Sequence, residues 1–188
     1  MSSLKNARPW ALAPLVAAVI AVIVGLAIAL PALAAAVTVS VSPANQSANI
    51  GDTITIGVRQ NADVTTTGMQ ANVAFDRTKL QAVSVARGSA YPGATLLPAD
   101  LATAITTANT STGQLSNLAV FFSPGAGTVA AGDREGLVVT FHVIECGTSA
   151  ITLSGIEVLD TAGDTVQVTG TNNGSVDIPC PTPTPEPP

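Results

Sequence analysis

The sequence predicts an all-β domain, a sandwich or a barrel, behind an apolar N-terminal segment. Three observations carry this reading. Apolar and polar residues alternate with a period of two in several short runs, and that is the signature of half-buried strands. Segments rich in Gly and Pro separate the runs. No segment after residue 36 keeps a helical period over a useful length. Composition agrees: Val, Thr and Ala are abundant, aromatics are 3% and charged residues 10% of the 188 residues, and β-branched side chains suit pleated surfaces.

At the N-terminus, Lys5 and Arg8 precede an uncharged run from Pro9 to Ala36 that ends in Leu-Pro-Ala-Leu-Ala-Ala-Ala. A basic start, an apolar middle and small residues at A-x-A spacing read as a secretory signal over residues 1–36, cleaved after Ala34 or Ala36. The competing reading is an uncleaved membrane anchor, because the 21 residues from Trp10 to Leu30 are enough to span a bilayer. Either way the mature domain is expected to be secreted or on the cell surface. Without Lys5 and Arg8, five basic residues face twelve acidic ones, a net charge of −7. That argues against a nucleic-acid surface, which needs clustered Lys and Arg.

The mature chain reads as strands in order. Val37–Ser42 alternates, and Pro43–Gly51 is rich in turn residues. Thr53–Val58 puts Ile54, Ile56 and Val58 on one face. Gly68–Val85 organises the rest: Met69, Ala71, Val73 and Phe75 face inward, and Gln70, Asn72, Ala74 and Asp76 face outward. The alternation breaks at Asp76-Arg77-Thr78-Lys79, an Asp-led turn, and Leu80, Val83 and Val85 resume as a second apolar run. Arg87–Asp100 is a long connection with a short strand at Leu96–Leu97. Thr103–Thr107 reads as a strand and Asn109–Gly113 as a turn. Leu118, Val120 and Phe122 face one way, with Asn117, Ala119 and Phe121 opposite. Ser123–Gly132 is a Gly/Pro loop, and Leu137–Ile144 is a third strong strand. Ile151–Leu153, Ile156–Leu159, Thr165–Thr169 and Ser175–Ile178 complete the set, with Asn172-Asn173-Gly174 as a tight turn before the last. The domain spans 37–179, and 180–188 is a Pro/Thr-rich, polyproline-type tail.

Few residues suit chemistry. One His and two Cys nearly exclude a His/Cys metal site, and no cofactor is expected. His142, opposite Phe141 and Val143 on its strand, reads as a surface side chain, since no nucleophile motif accompanies it. Asp160–Asp164 lacks the oxygen spacing of a calcium loop and reads as a hairpin turn. Asn45, Asn109 and Asn173 each start an N-x-S/T triplet, a pattern frequent by chance in Ser/Thr-rich chains. In an exported chain Cys146 and Cys180 are expected to pair and pin the C-terminal strand. An enzyme is the class least supported.

Four ordered stretches together resemble a cohesin domain, the receptor module of cellulosome scaffolds. They are Ile50-Gly-Asp-Thr-Ile-Thr-Ile56, Val73-Ala-Phe-Asp-Arg-Thr-Lys-Leu80, Glu135-Gly-Leu-Val-Val-Thr-Phe-His-Val143 and Gly174-Ser-Val-Asp-Ile178. The likeness covers roughly residues 37 to 179. It implies an antiparallel jelly-roll sandwich of about nine strands, related to carbohydrate-binding modules. It also implies a non-catalytic role: calcium-dependent pairing with a dockerin-type protein module, with the calcium held by the dockerin. The face around the organising strand would meet the partner, here through Gln70, Asn72 and Phe121. Two other readings stand beside it: a polysaccharide-binding module on the same fold, for which exposed aromatics are scarce, and a structural surface or adhesion domain.

Overall fold

The computed structural model describes residues 35–181. The signal or anchor reading of the N-terminal segment, and the tail from residue 182 onward, lie outside the described residues. Eleven strands follow one another: β1 (Ala36–Ser42), β2 (Asn45–Ser47), β3 (Thr53–Ala62), β4 (Thr66–Ala74), β5 (Leu80–Arg87), β6 (Thr95–Leu97), β7 (Gln114–Phe121), β8 (Gly132–Val143), β9 (Gly147–Asp160), β10 (Gln167–Asn172) and β11 (Gly174–Ile178). They form a five-stranded sheet in the order β10-β1-β3-β8-β5 and a six-stranded sheet in the order β2-β11-β9-β4-β7-β6. The expected all-β sandwich is therefore present, with eleven strands rather than about nine. The surplus includes the three-residue β2, which lies inside the turn-rich segment Pro43–Gly51.

The period-two runs bury the side chains they predict. Met69, Ala71, Val73 and Phe75 are buried, as are Ile54, Ile56 and Val58 on β3 and Leu137, Val139, Phe141 and Val143 on β8. Apart from Ala71, each of these side chains contributes about 1.5–3 kcal/mol by leaving water. Two aromatic pairs fix the interior. Phe75, just beyond β4, meets Phe141 on β8 edge to face. Tyr91, from the β5–β6 connection, stacks on Phe122 with ring centroids 5.6 Å apart.

A buried polar chain links the two sheets. The Tyr91 hydroxyl donates to Gln60 Oε1 at 3.2 Å, and Gln60 Nε2 donates to Thr66 Oγ1 at 2.6 Å. Gln60 sits on β3 and Thr66 on β4, and all three residues are buried. Each polar atom in this chain needs its neighbour, because a buried group without a partner is costly.

Several expectations are corrected. Thr103–Thr107 is not a strand but most of a helix, α1 (Leu101–Thr107), which runs on into a wider turn at Ala108–Thr112. Asp100 caps it, accepting from the Thr103 N–H at 3.0 Å and from the Thr103 hydroxyl at 2.7 Å. That is the N-cap arrangement. Seven residues make two turns, too few to display a period, although Leu101 and Ile105 do lie against the core one turn apart. The wider turn carries Asn109, whose amide donates to the Ala82 carbonyl and accepts from the Ala82 N–H. It so stands in for a strand partner beside β5, an edge strand.

The strands on either side of Asp76 do not pair: β4 belongs to the six-stranded sheet and β5 to the five-stranded one. The Asp-led turn instead carries the chain across the sandwich. A bulge between Ala82 and Ser84 turns Val83 outward, where it is 53% exposed, and buries Ala82 in its stead. Asn173 likewise joins β10 and β11 in different sheets rather than closing a hairpin. Two pairings, β1 with β10 and β2 with β11, are parallel in an otherwise antiparallel structure. Ile151–Leu153 and Ile156–Leu159 belong to one strand, β9, bulged where Gly155 takes a φ of 55°. A residue with a Cβ is disfavoured there twice over, by the left-handed backbone and by Asn72 Nδ2, which would stand 2.6 Å from that Cβ.

Candidate functional site

The outer face of the six-stranded sheet is set by the alternation of β4. With Met69 inward, Gly68 and Gln70 must face out. The ladders extend that choice across four strands. Gly68 pairs with Phe121 on β7 and with Leu159 on β9, and Phe121 pairs with Thr95 on β6. Gln70 pairs with Ala119 on β7 and Glu157 on β9, and Ala119 pairs with Leu97 on β6. Two rows thus lie side by side: Leu159-Gly68-Phe121-Thr95 and Glu157-Gln70-Ala119-Leu97. The row between them, Val158-Met69-Val120-Leu96, faces the core. Of these Val158, Met69 and Val120 are buried.

The two rows enclose a shallow depression of about 170 Å³. Its walls are apolar at Leu97, Phe121 and Leu159 and polar at Gln70 and Glu157. Gly68 forms the floor because Phe121 needs the room: a Cβ on Gly68 would stand 2.7 Å from Phe121 Cβ. Phe121 is half-buried, and Leu97 is 37% exposed. Both keep apolar surface in solvent.

Of the three residues expected to bind a partner, the structure brings Gln70 and Phe121 together. Asn72 lies on the same face, past the bulge. Its Oδ1 accepts from the Asn117 N–H at 2.7 Å, where Asn117 has a φ of 54°. That amide oxygen is occupied in holding β7 to β4. Leu97, Ala119, Glu157 and Leu159 complete the face and were not singled out by sequence. Glu157 and Leu159 were hidden by the Gly155 bulge, which reverses the parity of β9. Leu97 sits on a three-residue strand, too short to show which side it faces.

At one end of the same sheet, the turn after β4 is a tight electrostatic knot. Asp76 Oδ1 accepts from the Thr78 N–H at 2.9 Å and the Thr78 hydroxyl at 2.6 Å. Asp76 Oδ2 accepts from the Lys79 ammonium, and the two form an ion pair. The Lys79 hydrogen bond first, and then those from Thr78, hold the Asp76 carboxyl down from 3.8 to about 2. Cys146 and Cys180 are joined in a disulfide, with Cα atoms 4.9 Å apart. His142 is half-buried on β8. Asp160 closes the β9–β10 turn, its Oδ1 accepting from the Ala162 and Asp164 N–H groups. Among the described residues no group of three His, Cys, Asp or Glu is placed to hold a metal ion.

The sequence matches the Cohesin domain family over residues 38–178. The chain belongs to the cohesin family. Cohesin domains are non-catalytic protein-binding modules. Solved cohesins share the fold. A non-cellulosomal cohesin from the hyperthermophilic archaeon Archaeoglobus fulgidus is 20% identical, with a TM-score of 0.57, covering 77% of this chain and 91% of its own. The sixth cohesin of scaffoldin B from Acetivibrio cellulolyticus, solved with a Cel5 dockerin mutant, is 18% identical, with a TM-score of 0.58 and coverage of 77% and 99%. The third ScaB cohesin of R. flavefaciens, solved with a group 1 dockerin, is 14% identical, with a TM-score of 0.56 and coverage of 80% and 100%. A comparison with curated proteins gives no match.

Proposed function

We propose that this cohesin docks a dockerin-type module on the outer face of its six-stranded sheet, through Phe121 and Leu97 with Gln70 and Glu157 beside them. The observation that carries the proposal is the pairing of Phe121 with Gly68, which seats an aromatic ring at the wall of an otherwise shallow, mixed face. Interface anchors are often aromatic, with polar groups at the rim. Asn72, on the same face, has its Oδ1 taken by the Asn117 N–H and so offers a partner only part of its amide. Two of the structurally similar cohesins were solved as dockerin complexes, which supports the choice of partner class. Calcium, where the pairing needs it, would be held by the dockerin. The proposed setting is extracellular, with residues 1–36 as the export signal or anchor, 37–179 as the binding module and 180–188 as a spacer.

The polysaccharide reading has less support. Phe75, Tyr91 and Phe141 are buried, and Phe122 is stacked on Tyr91. Phe121 alone among the described aromatics lies on the outer face, and one ring makes a poor platform for a run of sugars. The test is a titration of the domain with a panel of calcium-loaded dockerins and, separately, with soluble oligosaccharides. Saturable dockerin binding that survives excess oligosaccharide supports the proposal. Oligosaccharide binding lost on Phe121→Ala, with no dockerin binding, reverses it.

A further inference from the structure

Cys146 lies between the end of β8 at Val143 and the start of β9 at Gly147, and Cys180 lies just beyond β11. Their bond therefore closes a covalent loop around β9, β10 and β11. A pull on a cross-linked chain travels by the shortest covalent route, and residues inside the loop carry none of it. Tension entering from beyond Pro181 passes from Cys180 to Cys146 and then to the end of β8.

Tension entering from the N-terminal side reaches the start of β1. β1 and β8 both run antiparallel to β3, which lies between them. They therefore point the same way. The two pulls draw β1 by its first residue and β8 by its last, in opposite directions along the strand axis. The ladders under load run from Val37 opposite Ala62 to Ser42 opposite Gly57, and from Thr53 opposite His142 to Ala62 opposite Gly132. Hydrogen bonds in such a ladder lie across the strands, so a lengthwise pull strains many of them together. Without the bridge the same tension would fall first on β11, five residues long, held by β9 and the three-residue β2.

We infer that the Cys146–Cys180 bridge is a mechanical bypass, routing tension from the C-terminal side past β9, β10 and β11 onto the β1-β3-β8 ladder. The domain is thereby fitted to stay folded while it is pulled between its two ends. β9, with Glu157 and Leu159, stays out of the loaded path. The inference holds whatever that face binds.

The test is single-molecule pulling on the full chain held by its two ends. Bridged protein should unfold without a weak early step. The Cys146→Ser/Cys180→Ser double variant should show an early step at lower force. Its total released length should also be greater, by the 34-residue separation of the cysteines, about 120 Å. Wild-type protein folded oxidised and then reduced in the pulling cell gives the same comparison if the variant folds poorly. In a second geometry one handle is moved to the exposed residue 162 in the β9–β10 turn. The bridge is then no longer in series with the pull, and losing it should leave the rupture force unchanged. An equal drop in force in both geometries, or no early step after the bridge is lost, would overturn the inference.

Discussion

Phe75 and Phe141 meet edge to face between the two sheets, with ring centroids 4.9 Å apart and planes at 64°. Phe75 ends the inward alternation of β4, and Phe141 lies in the middle of the inward alternation of β8, fully buried. The contact is the point at which the two clearest sequence patterns pack on each other. Phe141→Ala should therefore cost about 3–5 kcal/mol, as ring deletions in closed cores do, and denaturant unfolding would measure it. An unchanged midpoint would mean that the ring does not face the core.

Tyr91→Phe tests the polar chain between the sheets. The change keeps the stack on Phe122 and removes only the hydroxyl, so Gln60 Oε1 loses its donor in a buried site. A loss of about 1–3 kcal/mol is expected. Burial raises the Tyr91 hydroxyl pKa above its ordinary value. The phenol should accordingly resist titration in a spectrophotometric alkaline scan until the fold opens.

Acid should weaken the domain through Asp76. Its carboxyl is held at about 2 in the folded state, by Lys79 first and then by Thr78, while an unfolded Asp titrates near 4. A depressed folded value means that the stabilisation is fully present above about pH 4 and is lost as the pH falls towards 2. The site is partly open to solvent, so the contribution is modest. Asp76→Asn should lower stability at neutral pH and flatten the stability curve between pH 4 and 2. Parallel wild-type and variant curves over that window would contradict the assignment.

Much of the fold was legible because period-two burial is a strong local signal. Met69 to Phe75, Ile54 to Val58 and Leu137 to Val143 all bury the side expected of them. What escaped was decided by tertiary structure. Gly155 and Ala82 each sit at a bulge, and a bulge reverses the face of every residue that follows. Helix α1 is too short to show a period, and its cap at Asp100 is a single side chain. That β4 and β5 lie in different sheets is a matter of topology, on which a four-residue turn is silent. The candidate face was half legible for the same reasons. Gln70 and Phe121 stand on strands with clean alternation, whereas Glu157, Leu159 and Leu97 lie beyond a bulge or on a three-residue strand.

Asn109→Ala tests the cover on the β5 edge. The amide makes both hydrogen bonds that a neighbouring strand would make to Ala82. Its loss should leave the Ala82 backbone groups open to pairing with another chain. Self-association of the variant, rising with concentration in sedimentation velocity, is the expected result. A variant as monodisperse as wild type would show that Asn109 does not guard the edge.

The most direct measurement of the proposed docking face is calorimetric titration of a dockerin that binds the wild-type domain against Phe121→Ala, Gln70→Ala and Val83→Arg, with melting curves for each. Phe121→Ala should weaken binding by about 2 kcal/mol or more, roughly 30-fold, with the fold intact. Gln70→Ala should do less, and Val83→Arg, an exposed change on the five-stranded sheet, should do nothing. If Phe121→Ala binds like wild type while Val83→Arg abolishes binding, or if Phe121→Ala unfolds the domain, docking through Phe121 on the six-stranded sheet is contradicted.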